Sequence, residues 1–309
     1  MIFQGADKPR WAWPLLFVVA VLSACSAPLT PSVAPVQSST VAPSAKSVAL
    51  SKYYADLQYN MRLRGLIRED DGSSVASFNG RVLAENFETI ALHDEYVPGQ
   101  QGFIPRQTPS ALRRWEKPIR MAIEFGPSVP SGTRNADAQF IVNYAQHLSQ
   151  VTGHPITMTA NRPNYLVLVL GEDDRDDFAQ RFRSFVPGLS EQTVQDYLNL
   201  PRSILCLVYA FPGRNGGYAY DRAVAVIRAE HPSLMRRSCI HEELAQGMGL
   251  ANDSPRARPS IFNDDEEFGF LTRHDEMLLK LLYDPRLSVG MDANKARPTV
   301  QRIARELAG

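Results

Sequence analysis

The sequence predicts an α+β domain built on one mixed β-sheet. Residues 165–170 (YLVLVL) form an unbroken apolar run, which is typical of a strand buried on both faces. Residues 119–125 alternate in polarity as a half-buried strand does, whereas residues 136–151 carry apolar side chains at helical spacing. The remaining strands of this domain are predicted at 204–211 and 223–229, and the remaining helices at 178–200, 234–250 and 272–283. An order of strand, helix, several strands and then helices favours an α+β or α/β arrangement around one sheet.

Two further segments flank this sheet domain. Apolar residues at helical spacing predict a helix over 53–68, and a second apolar stretch runs from 78 to 96. A short terminal helix is predicted over 298–307. We therefore divide the folded part into an N-terminal α/β extension (48–115), a main domain (116–288) and a C-terminal tail with a short helix (289–309).

The composition is that of a folded protein without a broad basic surface. The chain has 309 residues, of which 44% are apolar and 9% aromatic, so it can bury a core and is not wholly disordered. Its 33 basic and 33 acidic side chains cancel. Because nucleic-acid binding needs a basic excess to neutralise phosphates, we expect no nucleic-acid partner.

The N-terminus has the pattern of a secretory signal. An apolar run over 11–22 would form a helix of about 18 Å, which is too short to span a hydrocarbon core of about 30 Å. The run ends in L-S-A-C at 22–25, which resembles the bacterial lipobox. This resemblance implies a lipoprotein signal peptide over 1–24 and a lipidated Cys25. Ser26 follows instead of Asp, which by resemblance to Gram-negative sorting implies the periplasmic face of the outer membrane.

Residues 25–47 are predicted to be a disordered tether. Ser, Thr, Pro and Ala dominate this segment, which contains no aromatic residue and a single charge. Such a segment cannot bury enough apolar surface to offset the entropy cost of ordering it. The folded part is therefore expected to be held near a membrane by this chain.

The cysteine count agrees with a lipid anchor in an oxidising compartment. If Cys25 carries lipid, Cys206 and Cys239 remain as a pair that such a compartment would oxidise. A disulfide between them would contribute about 3–4 kcal/mol in the chain-entropy model. The alternative is two separate buried thiols.

The most informative stretch begins at the second cysteine of that pair and reads C-I-H-E-E-L-A-Q-G-M-G-L-A-N-D. Residues four apart share a helix face, so Glu242 and Gln246 project together. Gly249 is expected to end the helix, because glycine adopts the left-handed cap conformation easily. Asn252 and Asp253 follow where the chain turns back.

This stretch resembles the zinc-binding motif of the metzincin metalloproteases, H-E-x-x-H-x-x-G-x-x-H/D. In those enzymes two histidines one turn apart and a third residue beyond a glycine bind zinc, and the glutamate activates water. The resemblance aligns Glu242, Gln246 and Asn252, with Asp253 beside it, with the metal ligands. It aligns Glu243 with the general base.

The resemblance extends beyond this motif. It implies a metzincin-like mixed sheet, an active-site-type helix, a loop at 259–262 that resembles the turn beneath the metal, and a closing helix after Thr272. More closely, the whole chain resembles an uncharacterised family of proteobacterial lipoproteins. That family is typified by I-H-E-E-L-A-Q-G-x-G-L-x-N-D, R-H-D-E and L-Y-D-P-R-L.

The side chains at the metal positions differ from those of the proteases. Zinc prefers imidazole and thiolate, so Glu242 is an acceptable ligand, whereas the amides of Gln246 and Asn252 are poor ones. Glu243 keeps the chemistry of a general base. The first interpretation is a degenerate domain that has lost zinc, uses no cofactor and binds an envelope protein or peptide in the old cleft.

Two other interpretations stay open. The chain could be an active metallohydrolase in which the same side chains hold zinc or another divalent metal, although an oxygen-rich set suits Ca²⁺ or Mg²⁺ better. Alternatively, the polar residues form a buried hydrogen-bonded network without a ligand. His241 is a further candidate for the site. The run His274-Asp275-Glu276 at the start of a predicted helix is expected to cap that helix and complement its dipole, and the alternative is that His274 faces the cleft.

Overall fold

The computed structural model describes residues 42–74, 76–99, 102–213, 216–263 and 265–309. The predicted signal peptide, Cys25 and tether residues 26–41 lie outside the described residues. Within the described ranges, no helix is both long enough and apolar enough to cross a membrane. The helices are α1 (Ala45–Leu63), α2 (Gly80–Ala91), α3 (Ser131–Thr152), α4 (Arg175–Phe185), α5 (Glu191–Leu198), α6 (Ser233–Gln246), α7 (Arg273–Leu282) and α8 (Ala293–Ala308). The strands are β1 (His93–Gly99), β2 (Gly102–Pro109), β3 (Arg114–Trp115), β4 (Ile119–Phe125), β5 (Ile156–Met158), β6 (Tyr165–Leu170), β7 (Cys206–Pro212) and β8 (Ala219–Arg228).

The main sheet has six strands and is mostly parallel. Strands β3, β8, β6, β4 and β5 follow one another in that spatial order, and each adjacent pair is parallel. Strand β7 pairs with β8 in the antiparallel direction. Strands β1 and β2 form a separate antiparallel pair. The prediction of a domain of helices and strands built on a mixed sheet is therefore confirmed.

Strand β6 lies in the middle of this sheet because its sequence is apolar on both faces. All of its residues are buried. Its odd-numbered side chains pack in the main hydrophobic cluster with side chains of α3, α6 and α7, and its even-numbered ones pack in a second cluster with α4 and α5. The predicted helix over 178–200 is in fact two helices, since Pro187 and Gly188 interrupt it.

Helix α1 begins earlier than the predicted 53–68 helix. Ser44 caps it by accepting a hydrogen bond from the backbone N–H of Ser47, so the first residues of α1 belong to the segment assigned to the tether. Tyr54 and Met61 are its buried side chains. The Ser47 hydroxyl also donates to Glu230 Oε1 at 2.8 Å, which fixes α1 to the body of the domain.

Helix α8 is also longer than the predicted 298–307 helix. Asp292 caps it by accepting from the backbone N–H of Lys295. Its buried side chains join the main hydrophobic cluster, and it packs against α2. The C-terminal segment is therefore part of the same core as the sheet.

Candidate functional site

Helix α6 carries most of the candidate residues. It begins directly after Pro232 and packs against β7, β8 and α3. Ile240, Glu243 and Leu244 are among its buried residues, whereas Glu242 is only partly buried. The helix therefore has one face in the core and one acidic position at the surface, near β7.

The predicted glycine turn follows α6. The helix ends at Gln246, before the predicted end, and the carbonyl oxygen of Gly247 accepts a hydrogen bond from Trp115 Nε1 at 2.9 Å. Gly249 has a φ of 127°, and a Cβ on it would lie 2.2 Å from the carbonyl oxygen of Arg113. A side chain at position 249 would strain the backbone and collide with the carbonyl oxygen of Arg113, which directly precedes β3. The close contact therefore requires glycine.

The predicted disulfide between Cys206 and Cys239 is confirmed. The two sulfurs are bonded and the Cα atoms are 5.8 Å apart. Cys206 is the first residue of β7, and Cys239 lies inside α6. The bond therefore joins the antiparallel strand of the sheet to the helix that carries the candidate acids.

Two carboxylates lie beside this disulfide. One oxygen of Glu242, one oxygen of Glu243 and the sulfur of Cys206 all lie within 4.8 Å of one another. Glu242 Oε2 is 3.9 Å from the Cys206 sulfur, and Glu243 is 2% exposed. Because the Cys206 sulfur is bonded to Cys239, it cannot act as a thiolate ligand in this state. The site is thus a pair of acids.

The other predicted metal positions have different surroundings. Asn252 is 2% exposed, and its Nδ2 donates to the carbonyl oxygen of Thr89 at 2.8 Å. Its backbone N–H donates to Ile90, so Asn252 joins the turn to α2. Gln246 and Asp253 are partly buried. The aligned ligand positions thus offer the carboxylate of Glu242 and the amides of Gln246 and Asn252, and the Asn252 amide is already bound to the backbone of α2. This donor set does not fit zinc.

His241 lies between aromatic rings. Its ring stacks on Tyr144 with centroids 3.8 Å apart and on Phe270 at 4.6 Å. The backbone N–H of Leu271 donates to Nδ1 at 3.0 Å, so Nδ1 carries no proton. Burial, assisted by the charge of His147, lowers the pKa of His241 to about 3. His241 is a neutral packing side chain in this arrangement.

His274 belongs to a buried polar network in the interior. It is 0% exposed, and its Nε2 lies 3.1 Å from Asn86 Nδ2. Its neighbour Asp275 accepts hydrogen bonds from the hydroxyls of Ser260 at 2.5 Å and Thr272 at 2.9 Å. Serine, histidine and aspartate are thus close together, but the serine donates to the aspartate and not to the histidine. The network caps α7 and holds the preceding loop, which agrees with the capping role expected for this helix start.

Sequence reasoning did not identify His231. Its Nδ1 lies 3.7 Å from the Cys239 sulfur, and the residue is 2% exposed. Burial, followed by the charges of Arg228 and Arg236, holds the pKa of His231 well below its ordinary value. No motif spacing links it to the cysteine. The only signal was its position directly before the proline that starts α6.

Comparison with protein families assigns this architecture to a family. A model described as "Protein of unknown function (DUF2927)" matches residues 81–302. The chain belongs to the DUF2927 family. No curated protein and no solved structure matches it. The DUF2927 match begins in α2 and ends in α8, so it contains the disulfide, both acids, the glycine turn and the buried network.

Proposed function

We propose that the chain is a lipid-anchored cell-envelope protein whose DUF2927 domain is metzincin-like, works without zinc and binds an extended protein segment or peptide. The observation that carries the binding function is the position of β7 at the edge of the sheet, beside the carboxylates of Glu242 and Glu243. The anchor, the fold relationship, the loss of zinc and the peptide surface each have separate support.

The anchor is supported by the sequence and by the cysteines. The L-S-A-C motif at 22–25 follows an apolar run of signal-peptide length. The disulfide between Cys206 and Cys239 is of a kind that persists in oxidising compartments. Both favour lipidation of Cys25 and the periplasmic face of the outer membrane.

The order of elements supports a metzincin-like fold. Strand β4 is followed by α3, by β5 and β6, by the helices α4 and α5, by β7 and β8, and then by α6 with Glu243 near its end. A glycine turn at Gly249 and the closing helix α7 come next. A strand, a helix, further strands, the α6 helix, a glycine turn and a closing helix in this order support the motif resemblance, which aligns Glu243 with the general base.

The chemistry of the side chains supports the loss of zinc. Of the aligned ligand positions, only Glu242 offers a donor that zinc accepts readily. Asn252 instead uses its amide to bind the backbone of Thr89. A domain with this donor set has kept the two acids, but not the metal cage.

Strand β7 supplies the surface for a peptide. Within the described part of the chain, β8 is its only strand partner, so its other edge presents backbone N–H and C=O groups. An extended peptide can add to such an edge as a further strand. The disulfide keeps the partly buried Glu242 beside that edge, and its carboxylate favours a peptide with lysine or arginine.

The anchor is tested by membrane attachment. Cells that express the full chain are labelled with an alkyne fatty acid and fractionated. The wild-type chain should carry label and sediment with outer membranes, whereas Cys25→Ser should lose the label and, if exported, be released. Equal labelling of wild type and Cys25→Ser would contradict lipidation of this cysteine.

Peptide binding is tested by selection and mapping. A random peptide library displayed on phage is selected on the oxidised protein, and an enriched peptide is titrated while backbone amide shifts are followed. We expect basic peptides that shift amides of Cys206–Pro212 and bind Glu242→Gln more weakly. The matched control is Glu85→Gln, an exposed acid on α2. Failure to enrich any peptide, or shifts confined to other surfaces, would contradict the proposal.

The runner-up function is an active metallohydrolase, which the close approach of the two carboxylates favours. It requires stoichiometric zinc or another divalent metal in the oxidised protein, and Glu243→Gln should then abolish turnover. If the acids only support the fold, the same substitution should lower the melting temperature and leave peptide binding unchanged. Metal analysis of residues 26–309 separates the hydrolase from the other two interpretations.

A further inference from the structure

The exposed large apolar side chains are concentrated on helix α1. Among the described residues, the large apolar side chains at the surface are Val48 (55% exposed), Tyr59 (65%), Leu63 (68%) and Tyr218 (45%). The first three belong to α1. A single exposed apolar side chain is normal on a protein surface, whereas three on one helix indicate a contact surface.

These three side chains lie on one face of the helix. Tyr59 and Leu63 are four residues apart, and Val48 precedes Tyr59 by eleven residues, which is about three helical turns. The exposed Ala55 lies on the same face, one turn before Tyr59. The two buried side chains of α1 lie on the opposite side. Helix α1 therefore carries apolar side chains on two sides, of which one packs in the domain and the other is uncovered.

Basic side chains accompany the uncovered face. Lys52, Arg62 and Arg64 are exposed, and none of them forms an ion pair with another described residue. The helix contains one acidic residue, Asp56. A surface helix that combines apolar side chains with a basic excess has the composition that binds anionic lipid membranes.

Helix α1 is also the described element nearest in sequence to the proposed lipid anchor. Ala45, its first residue, comes 20 positions after Cys25, so the two residues can be at most about 70 Å apart. If Cys25 carries lipid, contact of α1 with the same bilayer becomes an intramolecular event with a high effective concentration. A few apolar and basic side chains are then sufficient for a contact that would be weak without the anchor.

We propose that the exposed face of α1 lies on the surface of the bilayer that holds the anchor. The three apolar side chains insert at the level of the lipid head groups, where the ring and hydroxyl of Tyr59 suit the boundary between acyl chains and water. The three basic side chains bind the phosphates of anionic phospholipids. This inference rests on the proposed lipid anchor, and it is independent of the proposed peptide binding.

Contact through α1 would orient the whole domain. The hydroxyl of Tyr54 donates to the carbonyl oxygen of Arg202 at 3.0 Å, and Gln58 Oε1 accepts from the backbone N–H of Met235 at 3.0 Å. These bonds fix the inner side of α1 to the loop before β7 and to α6. Because α1 cannot turn its outer face independently of the domain, the bilayer would set the orientation of the sheet and of α6.

Spin labelling of the anchored protein tests the contact. Ala55→Cys places a nitroxide on the apolar face of α1, and Gln301→Cys places one at an exposed position of α8 as the control. Cys206 and Cys239 are bonded to each other, and the acylated Cys25 has no free thiol, so only the introduced cysteine reacts. The full chain, acylated in cells, is reconstituted into vesicles of phosphatidylethanolamine and phosphatidylglycerol. We expect the Ala55 label to be severalfold less accessible than the Gln301 label to a water-soluble nickel complex, and more accessible to oxygen.

The apolar part of the contact is tested by a double substitution. Tyr59→Ser/Leu63→Ser should return the Ala55 label to the accessibility of the control label. Tyr218→Ser is the matched control, because it removes an exposed apolar side chain outside α1 and should leave the Ala55 label protected. All three side chains are exposed, so the melting temperatures of these variants should equal that of the wild type.

The charged part is tested by the lipid composition. Phosphatidylglycerol should increase the protection of the Ala55 label over that in phosphatidylethanolamine alone, and Arg62→Gln/Arg64→Gln should remove this increase. The matched control is Arg302→Gln/Arg305→Gln, which removes two exposed cations from α8 and should keep the increase. Equal protection of the wild type in both lipids would exclude a role for the basic side chains.

Other outcomes would overturn the proposal as a whole. An Ala55 label as accessible as the Gln301 label, in acylated protein bound to vesicles, would exclude the contact and leave the anchor intact. Dipolar broadening between the Ala55 labels of two molecules would show that a second copy covers this face instead. Protection of the Ala55 label in a Cys25→Ser chain, together with a wild type that incorporates no fatty acid, would contradict the anchor and support the contact of α1 with lipid.

Discussion

Arg236 and Asp137 form an ion pair in the interior of the domain. Nε of Arg236 donates to Oδ2 of Asp137 at 2.5 Å, and the two side chains are 9% and 1% exposed. Asp137 belongs to α3 and Arg236 to α6, so the pair fixes the helix that carries the candidate acids to the helix beside it. Arg236 also donates to the carbonyl oxygen of His231, which couples the pair to the segment directly before α6.

Removal of one member of this pair should be costly. Asp137→Ala leaves a buried guanidinium without its counter-charge, and we expect the free energy of unfolding in urea to fall by about 3–5 kcal/mol. Asp137→Leu combined with Arg236→Met should lose less, because no charge then stays buried. Glu85→Ala breaks the exposed pair with Arg81 and should cost less than about 1 kcal/mol. A loss for Asp137→Ala as small as that of Glu85→Ala would contradict the argument.

The disulfide should stabilise the oxidised protein through its loop. It joins residues 33 positions apart, and the chain-entropy model gives a contribution of about 3–4 kcal/mol. We therefore expect Cys206→Ser/Cys239→Ser to lower the free energy of unfolding by that amount, measured in urea without reductant. Wild type measured after reduction, without metal, should resemble the double variant. Equal free energies of unfolding for the oxidised wild type and the double variant would show that the disulfide does not stabilise the fold.

The turn after α6 should not tolerate a side chain. Gly249→Ala places a Cβ against the carbonyl oxygen of Arg113 at a φ of 127°, so we expect a loss of at least about 2 kcal/mol in the free energy of unfolding. Gly65→Ala is the matched control: Gly65 also has a positive φ, but nothing lies within 4 Å of its Cβ position. That variant should lose only about 1 kcal/mol. Equal losses would mean that backbone conformation alone, and not the close approach, requires Gly249.

His241 should make stability depend on pH. Its pKa is about 3 in the folded protein and 6.5 in an unconstrained chain, so between these values the unfolded state binds more protons. The free energy of unfolding should therefore fall as the pH decreases from about 6.5, by at most about 1.4 kcal/mol per pH unit from this group. His241→Gln should reduce the slope measured by urea unfolding between pH 7 and pH 4.5. An unchanged slope in His241→Gln would contradict the assignment.

The parts of the fold that the sequence predicted are those with a strong local signal. The run of six apolar residues in β6 and the alternation in β4 correspond to strands at those positions. The ends of helices were less predictable, because tertiary contacts decide them. Helix α1 begins at Ala45 because Ser44 caps it. The backbone N–H of Ser44 also donates to the carboxylate of Asp173, which is 129 residues away in the sequence.

The site was predictable only where the spacing within one helix or the number of cysteines gave a signal. The spacing of Glu242 and Gly249, and the pairing of Cys206 with Cys239, could be inferred from the local pattern and from the count of cysteines. The hydrogen bond from Asn252 to Thr89 joins residues 163 positions apart. The contact between His231 and Cys239 depends on the path of the chain into the start of α6. Such contacts have no periodicity in the sequence, so only the folded chain reveals them.

Trp115 gives the domain an internal optical reporter. The chain has three tryptophans, and a protein that starts at Cys25 retains this one alone. Its indole is 1% exposed, lies over Tyr165 and donates to the carbonyl oxygen of Gly247 at the end of α6. In a protein that starts at Cys25, tryptophan emission therefore originates at the turn that follows the acids, so a ligand or metal that displaces this turn can be followed without an added label.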